Sequence, residues 1–243
     1  MLQYQPAVDV EPLREAYRFT AKVHEGQKRL SGEPYVTHPV AVAGILADLK
    51  LDLPSIIGGM LHDTVEDTLA TLPQIEEQFG PEVAALVDGV TKLSQVNFNS
   101  REEKQAENFR KMILAMAKDI RVVLIKLADR THNMRTLQYL PDEKQRRIAQ
   151  ETLDIYAPIA HRLGIYWIKS ELEDLALKYL RPEVYAELKH NVAQKKKYRE
   201  KYTNDVISRM SKALAEEGID GEVSGRPKHF FSIFRKMENQ SLD

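Results

Sequence analysis

From about residue 10 to Gly218 the apolar residues of this chain recur every three or four positions, and hardly any segment alternates with a period of two. That periodicity restricts the fold more than any other feature. Amphipathic helices bury their stripes against one another, so the expected class is all-α, a helical bundle. Asp9 and Pro12 stand where a first helix would open, and Leu13, Tyr17, Thr20 and Ala21 carry its stripe toward Gly26. Pro39 suits the first turn of a second helix, with Thr37 or His38 at its start. Pro54 opens a third, SIIGGMLHDTVEDT, apolar in front and acidic behind. Carboxylates at a helix C-terminus oppose the macrodipole, so something else must stabilise them there.

Thr71 and Gln74 form a capping-box pattern for LPQIEEQF, which stops at Gly80 and restarts at Pro81 through about Leu93. SQVNFNSREE reads as a polar loop. Helices are expected over roughly 102 to 117 and 120 to 136, then 142 to 161, 165 to 180 and 183 to 216. RVVLIKLA is β-branched enough for a buried strand, but ADRTHNMRT continues it without a breaker, which favours helix. After Gly218, IDGEVSG reads as a short strand and PKHFFSIFRKM as the start of another helix. A lone strand cannot make a sheet, so the C-terminus is expected to be a truncated α/β segment.

The chain has no cysteine, so any metal must be held by His, Asp or Glu. A net charge of -1 over 243 residues gives no global field to recruit nucleic acid. With no cationic-then-apolar leader and no apolar run of about 18 residues, the expectation is a cytoplasmic protein without membrane contact.

Seven histidines are present, and some have acidic company. His62 and Asp63 are adjacent; alone, such a doublet is usually an ordinary surface pair. Glu66 and Asp67 follow one turn later, so that in a continuous helix Glu66 lies beside His62 and Asp67 beside Asp63. Three carboxylates crowding one helix end repel one another unless a divalent cation lies between them. A second cluster, KLADRTHNMRT, places Asp129, His132, Asn133 and Thr136 on one helix face. His38 stands at a loop-to-helix junction, where a histidine is more often a packing residue. Together His38, His62, Asp63 and Asp129 supply two imidazoles and two carboxylates, a set that suits Mn²⁺, Fe²⁺ or Zn²⁺, with Mn²⁺ first.

The pattern H…HD…D resembles the HD phosphohydrolase superfamily. SGEPYVTHPVAVAGILADL, LHDTVEDT, VTKL, IKLADRTHNMRT and YAPIAHRLGIYWIKSELEDLA resemble the RelA/SpoT-homologue family of (p)ppGpp synthetase/hydrolases, and GRPKHFFSIFRKM resembles the start of that family's synthetase domain. The resemblance implies an HD-domain bundle over 1–150, a connecting helical bundle over 151–182 and an incomplete synthetase domain over 183–243. It implies that His38, His62, Asp63 and Asp129 hold manganese and that Glu66 and Asp67 activate and orient a water. Arg29, Asn133 and Thr136 would meet the nucleotide. The implied reaction releases the 3′-pyrophosphate of (p)ppGpp, giving GDP or GTP. A longer parent would also synthesise (p)ppGpp in the stringent response and meet ribosomes, while this fragment would meet no nucleic acid.

Leu30 departs from a position that is often basic in relatives, and His161 from one that is commonly Asn. Lys28, Lys92, Lys126 and Arg130 are further phosphate candidates, equally explained as surface charge. KKKYREK at 195 to 201 reads as an exposed helix face. Two other functions fit the metal pattern: an HD hydrolase for another nucleotide, and a non-enzymatic alarmone sensor. The six intact metal and acid positions favour an active enzyme over the sensor.

Overall fold

The computed structural model describes residues 1–94, 110, 114, 118–194, 196–225 and 228–240. It forms two compact units, Met1–Leu172 and Glu173–Asp243. The helix expected over 102 to 117 and the loop before it lie mostly outside the described residues.

The first unit is built around α3 (Leu53–Leu61), in which every residue from Ser55 to Leu61 is buried. A helix apolar on all sides belongs in a core. It is packed by α1 (Glu11–Val23), α2 (Thr37–Asp48), α5 (Leu72–Ser94) and α6 (Ile120–Arg135). Leu46, Ile56, Leu61, Leu86, Ile125 and Leu127 fill the space between them. Asp52 caps α3 by accepting from the Ser55 amide at 3.3 Å. Arg121, at the start of α6, binds Asp52 at 2.9 Å and Glu82 of α5 at 2.7 Å, so one guanidinium ties three helices.

The ambiguous run RVVLIKLA is helical, within α6, which Asp119 caps by accepting from the Arg121 amide. Thr71 and Gln74 cap α5 as expected, the Thr71 amide donating to Gln74 Oε1 at 2.9 Å. Gly80, at φ 86° and ψ 164°, leaves helical geometry, so α5 is two helices joined across a kink, the stop and restart expected at Gly80 and Pro81. The segment expected as one helix over 142 to 161 is α7 (Asp142–Glu151), a π-helical turn (Thr152–Tyr156) and α8 (Ala157–Arg162). There the Thr152 hydroxyl donates to the Ile148 carbonyl at 2.7 Å, competing with the regular ladder. Then comes α9 (Tyr166–Leu180).

In the second unit α10 (Pro182–Gln194) and α11 (Lys196–Glu216) flank residue 195, which lies outside the described residues, as do the side chains of 193–200. Asp174 accepts from the amides of Phe230 and Phe231 at 3.3 and 2.8 Å and so caps α12 (Phe230–Gln240). The short strand expected at IDGEVSG does not form: residues 219–225 take no regular structure. Without a neighbouring strand, their backbone groups have no ladder to join. Among the described residues there is no strand, only an isolated antiparallel bridge between Lys28 and Pro34. No described helix is long and apolar enough to cross a membrane.

Candidate metal centre and adjoining cleft

Three helices of the first unit meet at one cluster. His38 comes from the first turn of α2, His62 and Asp63 from the end of α3, and Asp129 from the middle of α6. His38, His62 and Asp129 are buried, and each offers an atom within 4.8 Å of the others. Asp63 closes the set: its Oδ1 lies 2.9 Å from His62 Nε2 and its Oδ2 3.3 Å from His38 Nε2. Asp129 Oδ1 lies 3.3 Å from His38 Nε2 and 3.8 Å from His62 Nε2.

Sequence alone placed His62 and Asp63 on one continuous helix, and the structure corrects this. α3 ends at Leu61 and a single turn, α4 (Thr64–Asp67), follows. The Thr64 hydroxyl donates to the Leu61 carbonyl at 2.7 Å and the Thr68 hydroxyl to the Thr64 carbonyl at 2.6 Å. Neighbouring residues of an α-helix point in different directions. The break is what lets Asp63 turn back onto His62.

Hydrogen bonds assign which nitrogen each imidazole presents. His62 Nδ1 donates to the Gly59 carbonyl at 2.8 Å, so Nε2 is the nitrogen turned toward the carboxylates and the one a cation would engage. That Nε2 is buried and makes no hydrogen bond among the described residues, although a carboxylate oxygen is 2.9 Å away. On the other imidazole, Arg29 Nη1, which can only donate, lies 3.3 Å from His132 Nδ1, and the 2.8 Å contact between that Nδ1 and His38 Nδ1 fits His38 as its donor. His38 also turns its Nε2 toward the carboxylates, 3.3 Å from both Asp63 and Asp129. Burial, with neighbouring positive charge including that of Arg29 and Arg135, pushes His132 down to about 4.

Lone pairs facing carboxylates repel unless a cation or proton lies between them. The electrostatics show that demand. Burial works against a charged His62, yet Asp63 and Asp129 prevail and push it up to about 10. Burial also opposes ionisation of Asp63, but His62 and His38 hold its carboxyl well below the usual range. Asp129 is held down against burial by Lys126, 2.7 Å away, and by both imidazoles. Two imidazole nitrogens turned toward two carboxylates, one of the nitrogens buried without a hydrogen-bond partner among the described residues, fit a divalent metal.

A cleft of about 580 Å³ adjoins the cluster, lined by Lys28, Arg29, Tyr35, Asp67, Lys126, Arg130, Asn133 and Thr136 among others. The loop turn at Gly32, φ +86°, brings Arg29 back toward α6. Its Nη2 donates to Asn133 Oδ1 and Thr136 Oγ1, both at 3.1 Å. The three residues expected to meet a nucleotide are thus one hydrogen-bonded group. Lys126 and Arg130 line the cleft but already face acids, Asp129 at 2.7 Å and Glu151 at 3.1 Å. Lys92 is paired with Asp88 on α5, away from the cleft. Leu30 lines the cleft mouth, and His161 packs on Tyr166 outside the cluster.

The acidic pair divides. Asp67 lines the cleft, but also a second groove of about 1210 Å³ beside α1, whose lining includes Glu66, Arg18, Lys22 and Gln74. Sequence reasoning overlooked Tyr35, whose hydroxyl lies 2.8 Å from both Asp63 Oδ2 and Asp67 Oδ2. It also assigned nothing to His132. Tyr35 was visible only as a letter of the block GEPYVTHP, since its partners lie 28 and 32 residues away.

A sequence model described as HD domain matches residues 16–166. The chain is 59% identical over 244 residues to a GTP pyrophosphokinase of Myxococcus xanthus, covering 99% of this chain and 32% of that protein. It is 53% identical over 234 residues to the bifunctional (p)ppGpp synthase/hydrolase SpoT of Escherichia coli (strain K12), covering 96% and 33%. The chain thus spans about a third of the length of the curated relatives it matches. Among solved structures it is similar to a metazoan ortholog of SpoT described as hydrolysing ppGpp, with a TM-score of 0.55 and 27% identity. That match covers 70% of this chain and 96% of the other.

Proposed function

We propose, since the chain belongs to the HD-domain family and within it to the RelA/SpoT homologues, that it hydrolyses (p)ppGpp to GDP or GTP by releasing the 3′-pyrophosphate. The observation that carries the reading is the convergence of His38, His62, Asp63 and Asp129, with both imidazole Nε2 atoms turned toward the carboxylates, at the edge of a cleft that holds Arg29. These four would hold the metal, for which Mn²⁺ is our assignment. When bound, it supplies a lowered pKa for water and neutralises phosphate charge.

The chain's own residues supply the rest. Arg29 gives three hydrogen bonds to His132, Asn133 and Thr136. Two of a guanidinium's five N–H donors remain to grip a phosphate. Lys28 lines the same wall. Glu66, with Asp67 that Tyr35 holds at the cleft, would activate and orient the attacking water and accept its proton. In our reading residues 1–150 carry hydrolysis, 151–182 connect, and 183–243 begin a synthetase domain, so that a longer parent would also make (p)ppGpp.

Incubation of the protein with ppGpp and Mn²⁺, followed by nucleotide separation, should yield GDP and pyrophosphate, and a chelator should abolish both. Release of orthophosphate instead, or turnover unaffected by chelation, would refute the reaction as assigned.

A further inference from the structure

His132 has the geometry of a junction. Its Nδ1 is approached by His38 Nδ1 at 2.8 Å and by Arg29 Nη1 at 3.3 Å, from positions 94 and 103 residues away in the chain. Its ring centroid lies 4.9 Å from that of His38. It is half-buried, on the α6 face one turn after Asp129. A packing histidine would not need its acceptor nitrogen aimed at two donors from separate elements.

We propose that His132 is a positioning residue that orders the metal centre and the phosphate-gripping arginine together. By accepting the Nδ1 proton of His38, it fixes the tautomer in which Nε2 is the ligand atom and sets the ring's direction. By accepting from Arg29, it completes a three-point seat with Asn133 and Thr136 that holds the guanidinium at the cleft wall. Histidine ligands commonly need such a partner on the second nitrogen, and its loss typically weakens metal affinity about 10–100-fold. Here that partner is another imidazole, 2.8 Å away. The inference rests on reading the cluster as a metal-dependent hydrolase centre.

Mn²⁺ titration of the protein, followed by the electron paramagnetic resonance of the free ion, tests it without turnover. His132→Phe keeps a ring and removes the acceptor. It should weaken Mn²⁺ binding about 10–100-fold, with a melting temperature close to wild type, and raise the KM for ppGpp. His132→Asn returns an acceptor near the position of Nδ1 and should recover most of the affinity. Unchanged affinity in the Phe variant, or an Asn variant as weak as Phe, overturns the proposal. The wild-type protein offers a check that no folding defect can obscure: ¹⁵N resonances of the metal-free protein should show His38 protonated at Nδ1, and a proton at Nε2 alone overturns it. If wild type binds no Mn²⁺, and His38→Ala titrates identically, the hydrolase reading itself falls.

Discussion

Tyr35 has one proton and two carboxylates within 2.8 Å. Burial, then the charges of Asp63 and Asp67, raise its pKa far above the ordinary phenol value, so the hydroxyl stays a donor throughout the working range. Stacking on His24, ring centroids 4.4 Å apart, fixes where it points. The result is a bridge from a metal-ligand candidate to an acid at the cleft wall, and Asp67 is oriented whether or not it carries charge. Asp67→Asn therefore keeps an oxygen to accept from Tyr35 and loses only the capacity to take a proton. It should lower kcat by about 10²–10⁴-fold, the usual contribution of a positioned base, while KM and Mn²⁺ affinity change little. Steady-state kinetics beside a Mn²⁺ titration would show this, and near-normal kcat would remove Asp67 from the chemistry. The residues joined here illustrate what sequence conveys at this scale. Asp129, Asn133 and Thr136 stand together because helix spacing puts them there. Tyr35 and His132 acquire their partners only when distant segments meet, and no local pattern carries that.

The Thr71–Gln74 cap was legible because its pattern is local. The Asp52 and Asp119 caps emerge in the structure, where each accepts from a backbone amide. The break between α3 and α4 has no glycine or proline; it comes from threonine hydroxyls competing for carbonyls, a weak bias that tertiary packing amplifies. The π-helical turn at Thr152 arises in the same way. The expected strand at 219–225 failed for the opposite reason: local preference was present, but a partner was not. Helix-to-helix approach sets a further constraint at Gly89. A Cβ there would meet Val122 Cγ2 at 2.7 Å and Cγ1 at 3.2 Å. Val122 is buried and β-branched, so it has no flexible end to move aside. Overpacking costs about 1–3 kcal/mol, against about 1 kcal/mol gained by replacing a helical glycine with alanine. Gly89→Ala should thus be destabilising by about 1 kcal/mol, measured by urea unfolding. Greater stability than wild type would mean that α5 and α6 are more loosely packed than the structure has them.

At the scale of the whole molecule, charge is almost balanced, with 35 basic and 36 acidic side chains. A polyanionic substrate such as the one proposed would meet no long-range field and would depend on local cations, for which Lys28 and Arg29 line the cleft. The first unit concentrates its electrostatic strain at the metal cluster, and this makes its stability depend on pH in a way that metal reverses. In the metal-free protein His62 titrates at about 10, above the ordinary imidazole value of 6.5. A raised folded pKa means that the folded state holds the proton more tightly than the unfolded chain. The stabilisation is complete below about pH 6.5, the unperturbed imidazole value, and is lost as pH climbs toward about 10. Asp63 and Asp129 do not enter this window, because their depressed pKa values place their effect at acid pH. A bound cation requires the same imidazole without its proton, so binding releases the proton and tightens as pH rises. Metal that binds only the folded state stabilises it by about 2.7 kcal/mol at a concentration one hundred times Kd. Between pH 6 and 8.5, then, the melting temperature of the metal-free protein should fall, while the increment produced by a fixed Mn²⁺ concentration should grow. Differential scanning calorimetry with and without Mn²⁺ across that range measures both trends, and His62→Gln should flatten both. A Mn²⁺ increment that is constant with pH would show that the ion binds without displacing a proton, and His62 could not then be its ligand.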